Sequence, residues 1–123
     1  MQTIAIFGSS GYARELDDIA HALGCRTLFV ARDAAERAAW RGDGELVVEA
    51  ETGRYAALPC ALGIAEPALR ERVAQAHLSL QFVNLVHPLA SFGRGQRDAV
   101  ESRRGIAINA GVRFMSRIKV GDF

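Results

Sequence analysis

A short apolar strand runs straight into a glycine turn and then into an amphipathic helix, and few folds accommodate that order. Thr3–Phe7 (TIAIF) is β-branched and apolar, the pattern of a buried strand. Gly8-Ser9-Ser10-Gly11-Tyr12-Ala13 follows without a spacer. Residues 12–23 then carry Leu16, Ile19, Ala20 and Leu23 on one stripe, with Arg14, Glu15, Asp17, Asp18 and His21 around the rest. Gly24 stands where a C-terminal cap belongs, and residues 27–31 read as a second strand ending at Arg32-Asp33. Strand, glycine turn, helix and strand together open a Rossmann-like α/β unit.

The residue types in that turn point to an anion. Gly8 lets the chain leave the strand sharply, and Gly11 removes a side chain that would hold a phosphate away from the backbone. Amide groups at the positive end of the helix would then face the ligand, with Ser9, Ser10 and Tyr12 beside them. Ala13 is the third small residue, suited to close helix–sheet packing. The pattern is G-x-x-G-x-A, short of the full G-x-G-x-x-G dinucleotide fingerprint. Asp33, at the end of the second strand, stands where such folds contact a nucleoside. The alternative is a turn without a ligand and an Asp that only caps the next helix.

Further along, residues 33–40 read as a short helix capped by Asp33, and residues 45–51 contain a short strand. Residues 60–64 (CALGI) predict a third buried strand that ends in a turn at Gly63. Pro67 opens a helix on which Leu69, Val73 and Ala76 face inward while Arg70, Glu71 and Arg72 face water. His77 falls in its last turn, a position that complements the helix dipole. Residues 81–86 predict one further strand, leading to His87-Pro88.

Beyond that point the spacing changes. Val100, Ile106, Val112 and Ile118 recur every six residues, a period that neither a helix nor a flat strand produces. A left-handed parallel β-helix does, because each hexad supplies one inward aliphatic side chain at a corner of a triangular prism. Gly105, Gly111 and Gly121 suit its corners, whereas Arg113 and Phe114 are bulky for it, and an ordinary strand over 106–114 is the competing reading. One coil leaves strand edges unpaired, so residues 106–123 are expected to be poorly ordered or to meet another chain.

Composition narrows the function classes. With a formal net charge of +1, the chain has no general affinity for nucleic acid or anionic membranes. Residues 1–7 lack a secretion signal, and the longest apolar-rich stretch, interrupted by Pro59 and Gly63, is too short to cross a bilayer. Cys25 and Cys60 have no CxxC spacing and read as thiols in a reducing cytoplasm.

Three segments in order, IAIFGSSGYARELDDIA, CALGIAEPALRERV and NLVHPLA followed by hexads, carry a resemblance. The chain resembles bacterial nucleotide-sugar acetyltransferases of the sialic acid O-acetyltransferase and UDP-4-amino-sugar N-acetyltransferase group, along nearly its whole length except residues 43–58. The resemblance implies a Rossmann-like domain over 1–88 and, over 89–123, a linker and the first coil of a left-handed β-helix. It implies a UDP-sugar as ligand, and a trimer that binds acetyl-CoA between β-helices. Carried onto this sequence, it gives Gly8, Ser9, Ser10, Gly11, Tyr12 and Ala13 to the diphosphate, Arg32 and Asp33 to the uracil, and Gly63, Ile64 and Ala65 to closure over the nucleotide.

Two departures stand out: Arg32 replaces one member of an acidic pair, and Ile64-Ala65-Glu66 follow Gly63 where relatives carry Asn or Asp. The family's general-base histidine belongs to a later coil, so His87 is read as a structural or positioning residue. These 123 residues are then expected to lack the acetyl-CoA groove and to be inactive alone. Two alternatives stay open, a non-enzymatic nucleotide-binding or interaction module and an NAD(P)-binding protein whose Arg32 accepts a 2′-phosphate.

Overall fold

A computed structural model describes residues 2–115 and 119–123. The first strand, β1 (Thr3–Phe7), is the centre of a five-stranded all-parallel sheet. On one side lie β2 (Arg26–Ala31) and then β3 (Glu45–Val48), on the other β4 (Pro59–Leu62) and the short β5 (Gln81–Phe82). The order β3-β2-β1-β4-β5 reverses direction at β1, and parallel strands force helical crossovers on both faces. Helix α1 (Gly11–Ala22) covers one face, burying Ala13, Leu16, Ile19 and Ala20 against Ile4, Ile6, Phe29 and Ala61. Helix α3 (Pro67–Ala76) covers the other, with Val73 and Ala74 against Ala5, Phe7 and Leu62. A short helix α2 (Ala34–Ala38) links β2 to β3, and a 3-10 turn at Thr52–Arg54 precedes β4.

Three details differ from expectation. Leu23 ends α1 and is exposed, and Ala74 rather than Ala76 completes the buried stripe of α3. Arg70 is half-buried instead of facing water. Cys60 has no exposed surface, and burial pushes its thiol pKa up to about 11, which leaves it protonated and unreactive at neutral pH.

The strand expected over residues 81–86 is two strands. β5 stays in the sheet, but β6 (Leu85–Val86) leaves it and pairs in parallel with β8 (Ala107–Ile108). Asn84 makes the break. Its Oδ1 accepts from the Ile106 N–H at 2.9 Å, and its Nδ2 donates to the carbonyls of Val100 and Arg103 at 3.1 and 2.9 Å. Six residues on, the pattern repeats, with β7 (Ser91–Phe92) parallel to β9 (Arg113–Phe114). Helix α4 (Gln96–Glu101) lies in the chain between β7 and β8.

The six-residue spacing is therefore present, but it runs in two phases where one was expected. Val100 is buried and Ile106 packs on the same cluster, as expected, but Val112 is exposed, and Ile108, Phe114 and Val120, with Val86 and Phe92, form a second six-residue series in that cluster. Ile118 lies outside the described residues. Phe114 is no obstacle, because it stacks on Phe92 with ring centroids 5.6 Å apart. Residues 106–123 were expected to be poorly ordered or to meet another chain, yet described residues near both ends of that segment contact the body. Ala107 packs against the α1-side core, and the Phe123 ring meets Phe82 edge-on at 5.2 Å.

Asn84 ties two segments that no other side-chain amide joins among the described residues. Replacing Asn84 with Ala should lower unfolding stability by about 1–3 kcal/mol, measured by urea titration, because it orphans partly buried backbone groups. A change within error would mean that the strand pairing alone holds β6.

Candidate functional site

The carboxyl ends of β1, β2 and β4 lie side by side, since Phe7 is in register with both Val30 and Leu62. The next residues, Gly8, Arg32 and Gly63, thus meet at one edge of the sheet, at the point where strand order reverses. In open parallel sheets, ligands bind in that crevice.

Two glycines set its geometry. Gly8 has φ of 115°, and a Cβ there would stand 2.5 Å from the Gly63 carbonyl oxygen. A Cβ on Gly63 would stand 2.7 Å from the Ala13 Cα. Strand β4, the turn and the first turn of α1 are therefore in backbone contact, which any side chain would prevent. Ala13 has no exposed surface, so it belongs to this packing and not to a ligand-facing wall.

The amino end of α1 is open. Ser10 is its N-cap but makes no side-chain cap hydrogen bond, and the first turn contains no acidic residue. Gly11 is exposed, with nothing within 4 Å of where a Cβ would be. Unpaired helical amides and the positive helix end thus face solvent beside Gly8. Such a terminus accommodates a phosphate.

Around it the expected residues divide into groups. Gly8, Arg32 and Ile64 line a small crevice of about 50 Å³ together with Val30, Leu69 and Glu36. Tyr12 and Ala65 line a neighbouring groove of about 660 Å³ that runs between α3 and the residues around Ile106. Arg70 stands between them. Its Nη1 donates to the Tyr12 hydroxyl at 3.4 Å and to the Ile64 carbonyl at 3.3 Å, with its guanidinium 5.7 Å from the Tyr12 ring centroid. His87 plays a local part: its Nδ1 accepts from the Leu89 N–H at 3.0 Å.

Asp33 does not line the crevice. It caps α2, with Oδ1 accepting from the Glu36 N–H at 2.9 Å and Oδ2 accepting from Arg32 Nε at 3.4 Å. The Glu36 amide, and secondarily the Arg32 charge, hold the Asp33 carboxyl below the ordinary carboxylate pKa of 3.8. Ser9 is committed too, its hydroxyl donating to Glu36 Oε1 at 2.6 Å.

Glu36 and Arg70 are the site residues that sequence reasoning missed. Asp33-Ala34-Ala35-Glu36 has the spacing of a capping box, a signal that could have found the first. For Arg70 there was only an arginine on a charged helix face. Behind the crevice, His77 bonds Glu49 at 2.5 Å and packs beside Phe7 and Tyr55, so it supports the wall. Burial first, then the Glu49 charge, raises the Tyr55 pKa. Among the described residues, no group of three or more His, Cys, Asp or Glu is placed to hold a metal ion. No helix there is long and apolar enough to cross a membrane.

No protein-family model matches the chain, and no curated protein does. Solved structures do. PerB from Caulobacter crescentus, in complex with CoA and GDP-perosamine, superposes with a TM-score of 0.76 at 22% identity, over 99% of this chain and 58% of PerB. A mutant of perosamine N-acetyltransferase from the same organism gives 0.77 at 21% identity, with the same coverage. The acetyltransferase domain of PglB from Neisseria gonorrhoeae FA1090, in complex with acetyl coenzyme A, gives 0.61 at 17% identity, over 89% of this chain and 53% of the domain. The structural neighbours are bacterial nucleotide-sugar acetyltransferases. At these identities the likeness is one of fold, and the chain spans between half and three-fifths of each neighbour's length.

The cap at Asp33 makes a prediction with a definite sign. A carboxyl whose folded pKa is depressed stabilises above its unfolded value and loses that effect as pH falls through the folded one. Thermal denaturation should therefore find wild type more stable than Asp33→Ala at pH 6, with the difference closing below pH 3.8. A gap that persists at pH 2 would mean that the ionised cap is not its source.

Proposed function

We propose that this chain is the nucleotide-sugar-binding portion of an acetyl-CoA-dependent sugar N- or O-acetyltransferase. The observation that carries it is the open amino end of α1, without a side-chain cap hydrogen bond or an acid in its first turn, beside a crevice where strand order reverses. A nucleotide's diphosphate would lie against the Gly11 and Tyr12 amides, near Gly8. The base would be directed toward the crevice of Arg32 and Ile64, and the sugar toward the larger groove beside Tyr12, Arg70 and Ala65. The fold neighbours support this reading, since PerB is complexed with GDP-perosamine.

In the same reading, residues from Leu85 onward begin a left-handed β-helix. The inward set of Ile108, Phe114 and Val120 and the two parallel pairs six residues apart support it. Their partners lie 22 residues apart, four more than three hexads, and α4 occupies that interval. A trimer formed through further coils, with acetyl-CoA bound between subunits, would complete the enzyme.

Acetyl transfer itself requires a base that takes a proton from the sugar amine or hydroxyl as it attacks the thioester. Here His21 bonds the Asp17 carbonyl, His77 bonds Glu49 and His87 bonds its own turn, so none is assigned that role. The chain's own contribution is to hold and orient the sugar nucleotide.

A thermal-shift panel of UDP, GDP, their sugar conjugates, NAD and NADP tests the proposal. Stabilisation by sugar nucleotides is expected, and its pattern names the base. Stabilisation by NADP with no response to UDP or GDP compounds would replace the reading. In a second experiment, Gly11→Val should fold normally, because its added atoms enter open space. It should weaken nucleotide binding about tenfold or more, about 1.4 kcal/mol, by calorimetry. Unchanged affinity would remove the turn from the site.

A further inference from the structure

We infer that Glu36 reads the ribose of the bound nucleotide and restricts the site to ligands with a free 2′,3′-diol. The inference rests on the nucleotide reading of the crevice given above. In any nucleotide, the ribose lies between the phosphates and the base. A side chain that touches both the phosphate turn and the base-side strand end therefore stands at the level of the ribose.

Glu36 does both. Its Oε1 accepts from the Ser9 hydroxyl, one residue past Gly8, at 2.6 Å. Its Oε2 accepts from the Arg32 N–H, one residue past β2, at 2.8 Å. The side chain also lines the crevice with Gly8, Val30 and Ile64. A carboxylate has about four lone-pair sites, so each oxygen keeps capacity for one more donor. A vicinal diol offers two O–H donors side by side, a bidentate match for the remaining sites.

The other acids nearby are engaged elsewhere: Glu49, which also lines the crevice, holds His77 through its Oε1. Asp33 has one oxygen on the Glu36 N–H and the other on Arg32 Nε, and it lies outside the crevice lining. Ser9 acts here as a positioning residue, holding the carboxylate instead of donating to phosphate.

Calorimetric titration of the chain with GDP and UDP, and with their 2′-deoxy and 3′-deoxy forms, tests this directly. Wild type should bind each ribonucleotide about tenfold or more tightly than either deoxy form, the range for a hydrogen bond to a charged group. Glu36→Ala should reduce that ratio to about one, and Glu36→Gln should lower it while leaving thermal stability near wild type. Asp33→Asn should keep the full ratio. Equal affinity of wild type for ribo and deoxy ligands overturns the inference, as does an unchanged ratio in Glu36→Gln or in a folded Glu36→Ala. Failure of wild type to bind any of these diphosphates would instead overturn the nucleotide reading itself. The two failures are thus distinguishable.

Discussion

The close approach of two backbones governs the site. Gly8 and Gly63 belong to turns that leave adjacent strands, and neither has room for a methyl group where the other turn and Ala13 pass. That contact seats the first turn of α1 directly over the ends of β1 and β4. Had the helix been held further off by side chains, its amides would open onto bulk water instead of a crevice. The dipole of one helix is a modest attraction, and its effect falls off within a turn. Placement at the crevice makes it useful for a ligand.

Charge around the crevice is balanced by reciprocal pairing. Glu36 accepts from Ser9 and Arg32, Asp33 accepts from Glu36 and Arg32, and Arg70 donates to Tyr12 and to the loop after β4. These bonds join the three turns that follow β1, β2 and β4. Because most are partly exposed, each alone contributes little to stability. Their effect is on position: a ligand entering the crevice meets side chains whose orientations are already constrained.

The last third of the chain solves a different problem. Strands of two residues have almost no cooperativity of their own, and beside the β6–β8 pair Asn84 supplies bonds that a longer strand would make. Phe92 stacking on Phe114, with Ile108 and Val120 beside them, fills the space between successive turns. Phe123 then returns to the edge of the main sheet at Phe82. The two parts therefore share a core boundary at Leu85 and Ala107, which pack on the α1 side.

Local pattern in the sequence determined the Rossmann-like part. Apolar runs, the glycine turn, the α1 stripe, Pro67 and the Asp33 cap each act over a few residues, so their physics is legible in order along the chain. Six-residue periodicity was legible as well, but only part of its phase. Apolar residues recur on both Ile106 and Ile108, and only packing decides that Val112 is left exposed while Phe114 joins the core cluster. The break after Phe82 was invisible because Val83, Leu85 and Val86 continue the apolar pattern on either side of Asn84, whose partners lie more than 15 residues away. The same holds for Glu36 over Asp33: a carboxylate's position relative to a strand end can be read from spacing, but which of two acids turns toward the crevice depends on contacts with Ser9 and Arg32 that only the folded chain brings together.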